Sequence, residues 1–294
     1  MDRDYGIERR LARLDPGLHG RYRDCMTVSQ QMLSRYELTF PDFTDHTVLH
    51  TLEILDFCNQ LIGDQLEALT ADDLYVLLMG ALFHDVGMGV SVADFQRFCP
   101  RLGLFPSASA DARARTIRGH HQEFSALYLE QYWQLLDIPN EAYAYAVIQV
   151  CRGHRKADLT DEAAYPSSYP VEEGRTVCLP YLAALVCLAD ELDVAADRNI
   201  SFMYHVERMP NPVDRLEFHK HMAIRRVELE PDRVVLRAWS DDPEVRAGVA
   251  ALADKLREKL LYCRGVAAQR SPFVITQKEI ILDLSPEHRE VAQP

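Results

Sequence analysis

A nonpolar run, LYVLLMGALF (residues 74–83), ends abruptly in the adjacent pair His84-Asp85, followed at once by Gly87 and Gly89. A run of that length with no charge belongs in the middle of a protein. A histidine and a carboxylate side by side at a buried helix end cost free energy unless something pairs with them. A divalent cation is the natural partner, because imidazole and carboxylate are both its ligands. Whatever fold the chain adopts must therefore bring more ligands to residues 84 and 85.

Candidates lie on both sides of the pair. Six of the eleven histidines fall between residues 46 and 154: His46, His50, His84, His120, His121 and His154. The last five sit on, or at the end of, predicted helices. The spacing predicts a helix in RYRDCMTVSQQMLSRY and another in HTVLHTLEILDFCNQLI, with Thr44 or Asp45 as N-cap and Val48, Leu52, Leu55 and Leu61 near one face. Thr70 and Asp73 resemble a capping box that opens the helix reaching His84. Further helices follow in SVADFQRF (stopped by Cys99-Pro100), GHHQEFSALYLEQYWQLL, NEAYAYAVIQVCRGH and LPYLAALVCLADELDVA. Asp190, on the last of these, is an acid in nonpolar surroundings and must be paired if buried. Polar residues converging from several helices on a bundle interior are how helical metal sites are built.

After about residue 200 the pattern changes. HMAIRRVELE and RVVLRAWS alternate like strands around a Glu-Pro-Asp turn, DPEVRAGVAALADKLREKLLYC reads as a long amphipathic helix, and FVITQKEIILDL as a third strand. The expectation is a mainly α chain: a helical metal-binding domain over 1–200 and a small α+β part over 201–294. Residues 1–18 are expected to pack loosely. Residues 90–117 read as a lid. With the loop at 156–178, that lid is expected to build the specificity pocket.

Net charge is −13, which argues against non-specific binding to a nucleic-acid backbone or an anionic membrane. No stretch of about 18 nonpolar residues marks a membrane span. The start, MDRDYGIERRLARLD, carries no signal-peptide core, so a cytoplasmic location is the expectation. The seven cysteines are odd in number, lack CxxC spacing and mostly lie in nonpolar runs, which predicts reduced core thiols.

The ordered pattern H, HD, H, H, D is similar to that of the HD superfamily of metal-dependent phosphohydrolases. The resemblance covers roughly residues 40–200 and implies an HD-type helical bundle. TDHTVLHTLEIL resembles the family's first motif, which implies His50 as a ligand. ALFHDVGM resembles the motif that names the family, which implies His84 and Asp85. LVCLADELDVAADRN resembles its last motif and implies Asp190. HHQEFSA resembles the extra-histidine helix of two-metal members, which implies His121, with Ser125 as the small residue four positions on. CRGHRKAD resembles a further two-metal motif and implies His154. The HD-GYP branch is similar in this region, but Arg155 stands where that branch has a second histidine. The downstream Tyr-Pro pairs also lack its preceding glycine, so cyclic dinucleotides are not the expected substrate. The spacing and strand-bearing C-terminal part are similar to HD proteins found near Hsp90-like ATPases, which implies a partner ATPase or a homodimer.

The resemblance implies two divalent ions (Mn, Fe, Ni, Zn or Mg) bridged by Asp85, with a shared hydroxide attacking a phosphomonoester or phosphodiester of a small phosphorylated substrate, a nucleotide by expectation. His50, His84 and Asp190 complete one ion, and His121 and His154 the other. Among Arg118, Arg152, Arg155, Lys156 and Arg198, the residues after His154, Arg155 and Lys156, are the expected phosphate contacts. His120 is a surface residue, a support behind the ligands or a proton donor to the leaving group. His46 is a loop or helix-start residue. Glu191 and Asp193 are expected to face solvent or to touch a ligand from behind, and His205, His219, His221 and His288 to lie on the surface. Two rivals share the ligand list: a mixed-valent di-iron oxygenase of the same superfamily, and a non-catalytic metal-stabilised sensor or adaptor.

Overall fold

The helix that ends at His84 begins as the sequence predicts. The Thr70 hydroxyl accepts from the Asp73 amide (3.1 Å) while the Asp73 carboxylate accepts from the Thr70 amide (3.2 Å), a capping box with Asp in the place of Glu. Every residue from Asp72 to Phe83 is buried, so other helices must enclose this one on all sides.

The computed structural model describes residues 6–35, 48–195 and 212–286. Its helices are α1 (Gly6–Leu14), α2 (Pro16–Leu33), α3 (Val48–Ile62), α4 (Ala71–Phe83), α5 (Val92–Phe98), α6 (Ala110–Tyr132), α7 (Glu141–Gly153), α8 (Leu179–Leu192), α9 (Pro212–Ala223) and α10 (Pro243–Arg270). Helices α1, α2, α3, α7 and α8 pack around α4. A hairpin joins β1 (Tyr169–Glu172) to β2 (Arg175–Val177), and a second sheet has the order β3 (Ile224–Leu229), β4 (Arg233–Ala238), β5 (Glu279–Asp283), with β5 parallel to β4. The chain is mainly α with a small strand-bearing part near its C-terminus, as the patterning predicts. One nonpolar core runs from Ile7 in α1 to Ile280 in β5, and α10 joins the second sheet to the bundle by packing on α8. All seven cysteines are buried and free.

Four details differ from expectation. Residues 6–14 are a helix rather than loose chain, because Ile7 and Leu11, one turn apart, are fully buried against the bundle. Residues 110–117, expected in the lid, already belong to α6, which Ser109 caps. The strand expected from His221 starts at Ile224, after α9. The irregular stretch before α8 holds the β1–β2 hairpin, whose turn residue Gly174 has φ +71°.

That hairpin is tied to α4 by charge. Arg175 donates from Nε to Asp72 Oδ2 (2.9 Å) and from Nη2 to Oδ1, and the Tyr143 hydroxyl donates to the same carboxylate. Asp72 is buried, so an Arg175→Met chain leaves its charge half satisfied. The expected loss is about 1–3 kcal/mol of unfolding free energy, read by urea denaturation. A change below about 0.5 kcal/mol, the size of an ordinary surface substitution, would mean the pair is structurally idle.

Among the described residues no single helix is long and nonpolar enough to cross a membrane.

Candidate metal centre

Four helix ends and one kink inside a helix deliver the implicated side chains to one place. His50 comes from the first turn of α3, and His84 and Asp85 from the end of α4. His121 comes from a kink in α6, where His120 leaves helical φ/ψ (−137°, 16°). His154 caps α7, and Asp190 lies in the last turn of α8. The turn after Asp85 is pinned to α6 by Ser125, whose hydroxyl donates to the His84 carbonyl (2.8 Å) and accepts from the Gly87 amide (2.9 Å). A Cβ on Gly87 would stand 2.1 Å from the His121 carbonyl oxygen, so only glycine permits this approach.

The orientation of the imidazoles is fixed from behind. His84 Nδ1 donates to the Ala81 carbonyl (2.8 Å), His121 Nδ1 to the Arg118 carbonyl (3.0 Å), and His154 Nδ1 to the Cys151 carbonyl (2.5 Å). A carbonyl can only accept, so in each neutral ring the proton is on Nδ1 and the Nε2 lone pair points inward. His50 is held the same way by the Asp193 carboxylate, 2.5 Å from its Nδ1.

The four Nε2 atoms form two pairs, with His50 and His84 at 3.3 Å and His121 and His154 at 3.0 Å. Lone pairs facing each other at such distances repel unless a cation lies between. Two nitrogens each about 2.0–2.1 Å from one ion stand roughly 3 Å apart, which is the observed spacing. Asp85 spans the pairs. Its Oδ2 lies 3.6 Å from His50 Nε2 and 3.5 Å from His84 Nε2, while Oδ1 lies 3.2 Å from His121 Nε2 and 3.7 Å from His154 Nε2. Asp190 Oδ1 approaches the first pair only, at 3.3 Å from His50 and 3.9 Å from His84. Among the described residues the donors fall into two groups, each of which could hold a metal ion: His50, His84 and Asp85 form one, and Asp85, His121 and His154 the other.

Electrostatics agree. Burial, reinforced by neighbouring His84 and His121, pushes the His154 imidazole down to about 3, so the ring stays neutral and available as a ligand. Burial pushes the Asp190 carboxyl up, but the His50, His154 and His84 side chains beside it outweigh burial and hold the group ionised, below the ordinary carboxylate range.

The site opens into a cleft of about 440 Å³. Asp85, His121 and Asp190 lie on its inner wall, with Arg118 and Arg155 beside them. Lys156 and His120 are not among the described lining residues. Arg152 pairs with Glu123 across α6 and α7 (3.0 Å). His46, Arg198, His205 and His288 lie outside the described residues, as do the two candidate N-caps, Thr44 and Asp45. His219 is exposed, but His221, expected on the surface, is partly buried and lines the cleft.

The expected specificity elements are elsewhere. No described side chain from 90–117 or 156–178 lines the cleft. Phe95 and Phe98 instead build a separate nonpolar cluster against Phe124 and Tyr128 of α6, and the hairpin after residue 168 packs on α7 and α4. The outer wall comes from α9 and α10.

The acids around Asp190 divide the work. Glu191 faces α10 and pairs with Lys255 (2.7 Å), while Asp193 is buried behind His50. The i, i+3 spacing of Asp190 and Asp193 was the available signal that both face one way. Asp193→Ala frees the His50 ring to rotate. The expected result is a fall in metal affinity of about 10–100-fold, read by competitive titration with a chromogenic chelator. An unchanged affinity would mean that packing alone orients His50.

The HD-CE family model, an HD-type domain, matches residues 40–267, well over half of the chain and beyond the last ligand into α10. No curated protein and no solved structure matches the chain significantly. The family match and the clustered histidines and aspartates agree, and the chain belongs to the HD-CE family of HD-type domains.

Proposed function

We propose that the chain is a metal-dependent phosphohydrolase acting on a nucleotide phosphoester. The observation that carries this reading is Asp85, one carboxylate with an oxygen turned to each of two histidine pairs. His50, His84 and Asp190 would hold one ion and His121 and His154 the other, with Asp85 shared. Two divalent ions so held supply Lewis-acid stabilisation of phosphoryl charge and make a coordinated water acidic near neutral pH.

The chain's own residues do the rest. The Nδ1 hydrogen bonds keep four lone pairs aimed at one place, so no reorganisation is needed when substrate arrives. Arg155 is exposed beside the cleft and has no ion-pair partner among the described residues, which leaves its planar guanidinium able to take two phosphoryl oxygens at once. Arg118 lines the same cleft. Nothing in the geometry favours Lys156 or His120 as further contacts, and leaving-group protonation in this reading falls to solvent.

The test is product analysis by mass spectrometry after incubating manganese-loaded protein with nucleoside mono-, di- and triphosphates and cyclic nucleotides. Metal-dependent appearance of a dephosphorylated or ring-opened product supports the reading. Silence across the panel, with bound iron and oxygen consumption, would move the assignment to the di-iron oxygenase.

A further inference from the structure

A second cavity, of about 380 Å³, shares none of its described lining residues with the cleft. Its volume falls in the range of about 300–1,000 Å³ usual for small-ligand sites. It opens between α2 and the end of α6. Val28 and Met32 line it from α2, Leu129 and Tyr132 from α6, and Leu135 and Leu136 from the residues that follow. Phe83 and Gly89 reach it from the two sides of the His84-Asp85 pair. Most of the lining is therefore nonpolar, and exposed Val28 and Leu135 make the cavity reachable from outside.

The polar groups there are few and unequal. Besides Gln31 and the two tyrosines, Tyr128 and Tyr132, they are Asp94 and Arg35. Asp94 is already satisfied: Oδ2 accepts from the Tyr128 hydroxyl (2.9 Å) and the Ser91 hydroxyl (2.7 Å), and Oδ1 from Arg97 (2.6 Å), whose charge offsets its own. Arg35 is exposed and has no ion-pair partner among the described residues. Its charge is near enough to Tyr128 to oppose the upward push that burial gives that hydroxyl. The cavity thus joins a nonpolar chamber to one unbalanced guanidinium, a group that takes a carboxylate through two hydrogen bonds. A dianion fits less well. Asp94 lines the chamber, and α2, whose C-terminal end is negative, stops two residues before Arg35.

The position gives such a ligand something to control. Phe83 precedes His84 in the chain, and Gly89 closes the turn after Asp85. A Cβ on Gly89 would stand 2.3 Å from the Met32 carbonyl oxygen, so α2 and this turn already touch at the cavity. A ligand seated between α2 and α6 braces the turn that presents Asp85. Two ligands that both favour one position of a turn raise each other's affinity by the same factor.

We propose that this cavity is an effector site for a small carboxylic acid with a nonpolar ring or chain. The carboxylate sits on Arg35 and the body against Met32, Phe83, Leu129 and Leu136. Nothing in this depends on which reaction the metal centre performs.

The experiment is calorimetry on the full chain, metal-stripped and manganese-loaded, with octanoate, phenylbutyrate and indolepropionate, each beside its primary amide. At least one acid should bind the loaded chain with a Kd of about 1 mM or tighter, and about tenfold tighter than its amide. Manganese should tighten that binding by about fivefold or more. Arg35→Gln should erase the preference for acid over amide, and Val28→Trp, which fills the cavity from its edge, should weaken acid and amide alike by about tenfold. Both positions are exposed, so melting temperatures should stay within about 2 °C of wild type. Acid binding that survives both variants would be ligation at the metals and would overturn the site. Binding of no acid, or equal binding of acid and amide, would overturn the ligand class. Equal affinity with and without manganese would overturn the effector role.

Discussion

Asp85→Asn is expected to reduce bound metal to less than half of the wild-type content after dialysis and to lower any phosphohydrolase turnover by about 10³-fold. The first effect follows from geometry. Among the described residues, Asp85 is the one acid paired within 4 Å with all four inward-facing Nε2 atoms, and an amide presents one oxygen where the carboxylate presents two. Its NH₂ would face one histidine pair as a donor, satisfying those lone pairs without a metal. The second effect follows from magnitude. Charge stabilisation by a metal pair is worth several kcal/mol in the transition state, and each 1.4 kcal/mol or so is tenfold in rate. Asparagine preserves volume in the 84–89 turn, so the melting temperature measured in chelator should hardly move. Metal content by elemental mass spectrometry and turnover on the nucleotide panel are the two readouts. A variant that keeps both at wild-type levels removes Asp85 from the centre. One that keeps a normal fold and a partner-binding role with neither metal nor turnover would favour the adaptor.

The parts of this arrangement that were legible in the sequence share a physical property: each shows in local spacing. The run before His84, the capping box at Thr70 and the periodicity of α7 and α8 are set by residues within a few turns of each other, and the structure realises them. The metal candidates were legible because a histidine or aspartate at the end of a nonpolar helix is costly on its own. Other features were local but too brief. Strands of four and three residues give alternation no room to register, so the hairpin at 169–177 was visible only in Gly174. Ile7 and Leu11 stood one turn apart among charges, a pair that a stricter reading would have put in the core. The outer wall was illegible for a deeper reason. Lys255 meets Glu191 across 64 positions, and α9 reaches the cleft only because α10 packs on α8. Neither fact leaves a trace in periodicity, so an insertion next to the HD pair looked like the better lid.

Gly87→Ala is expected to cost about 3 kcal/mol and to disturb one half of the centre more than the other. The added methyl would stand 2.1 Å from the His121 carbonyl oxygen, 2.6 Å from the Ser125 amide nitrogen and 2.9 Å from Phe124 Cβ. Two of those three atoms are backbone of α6, which cannot swing aside as a flexible side-chain tip would, so the cost falls at the upper end of the usual 1–3 kcal/mol or so for overpacking. At about 2–4 °C per kcal/mol for a chain of this size, the melting temperature in chelator should fall by roughly 6–12 °C. Relief of the clash moves the 86–89 turn away from α6 and stretches the Gly87 to Ser125 hydrogen bond. That separates Asp85 Oδ1 from His121, now 3.2 Å apart, while His50 and His84 on the other side keep their spacing. Metal titration should therefore show one site weakened far more than the other. Gly265→Ala is the control: a methyl there meets nothing within 4 Å on α10, and replacing a helical glycine should add up to about 1 kcal/mol. Equal melting temperatures for the two variants would mean that α6 and the turn after Asp85 are not held against each other as described, and two equally weakened metal sites would mean that the turn does not set one pair independently of the other.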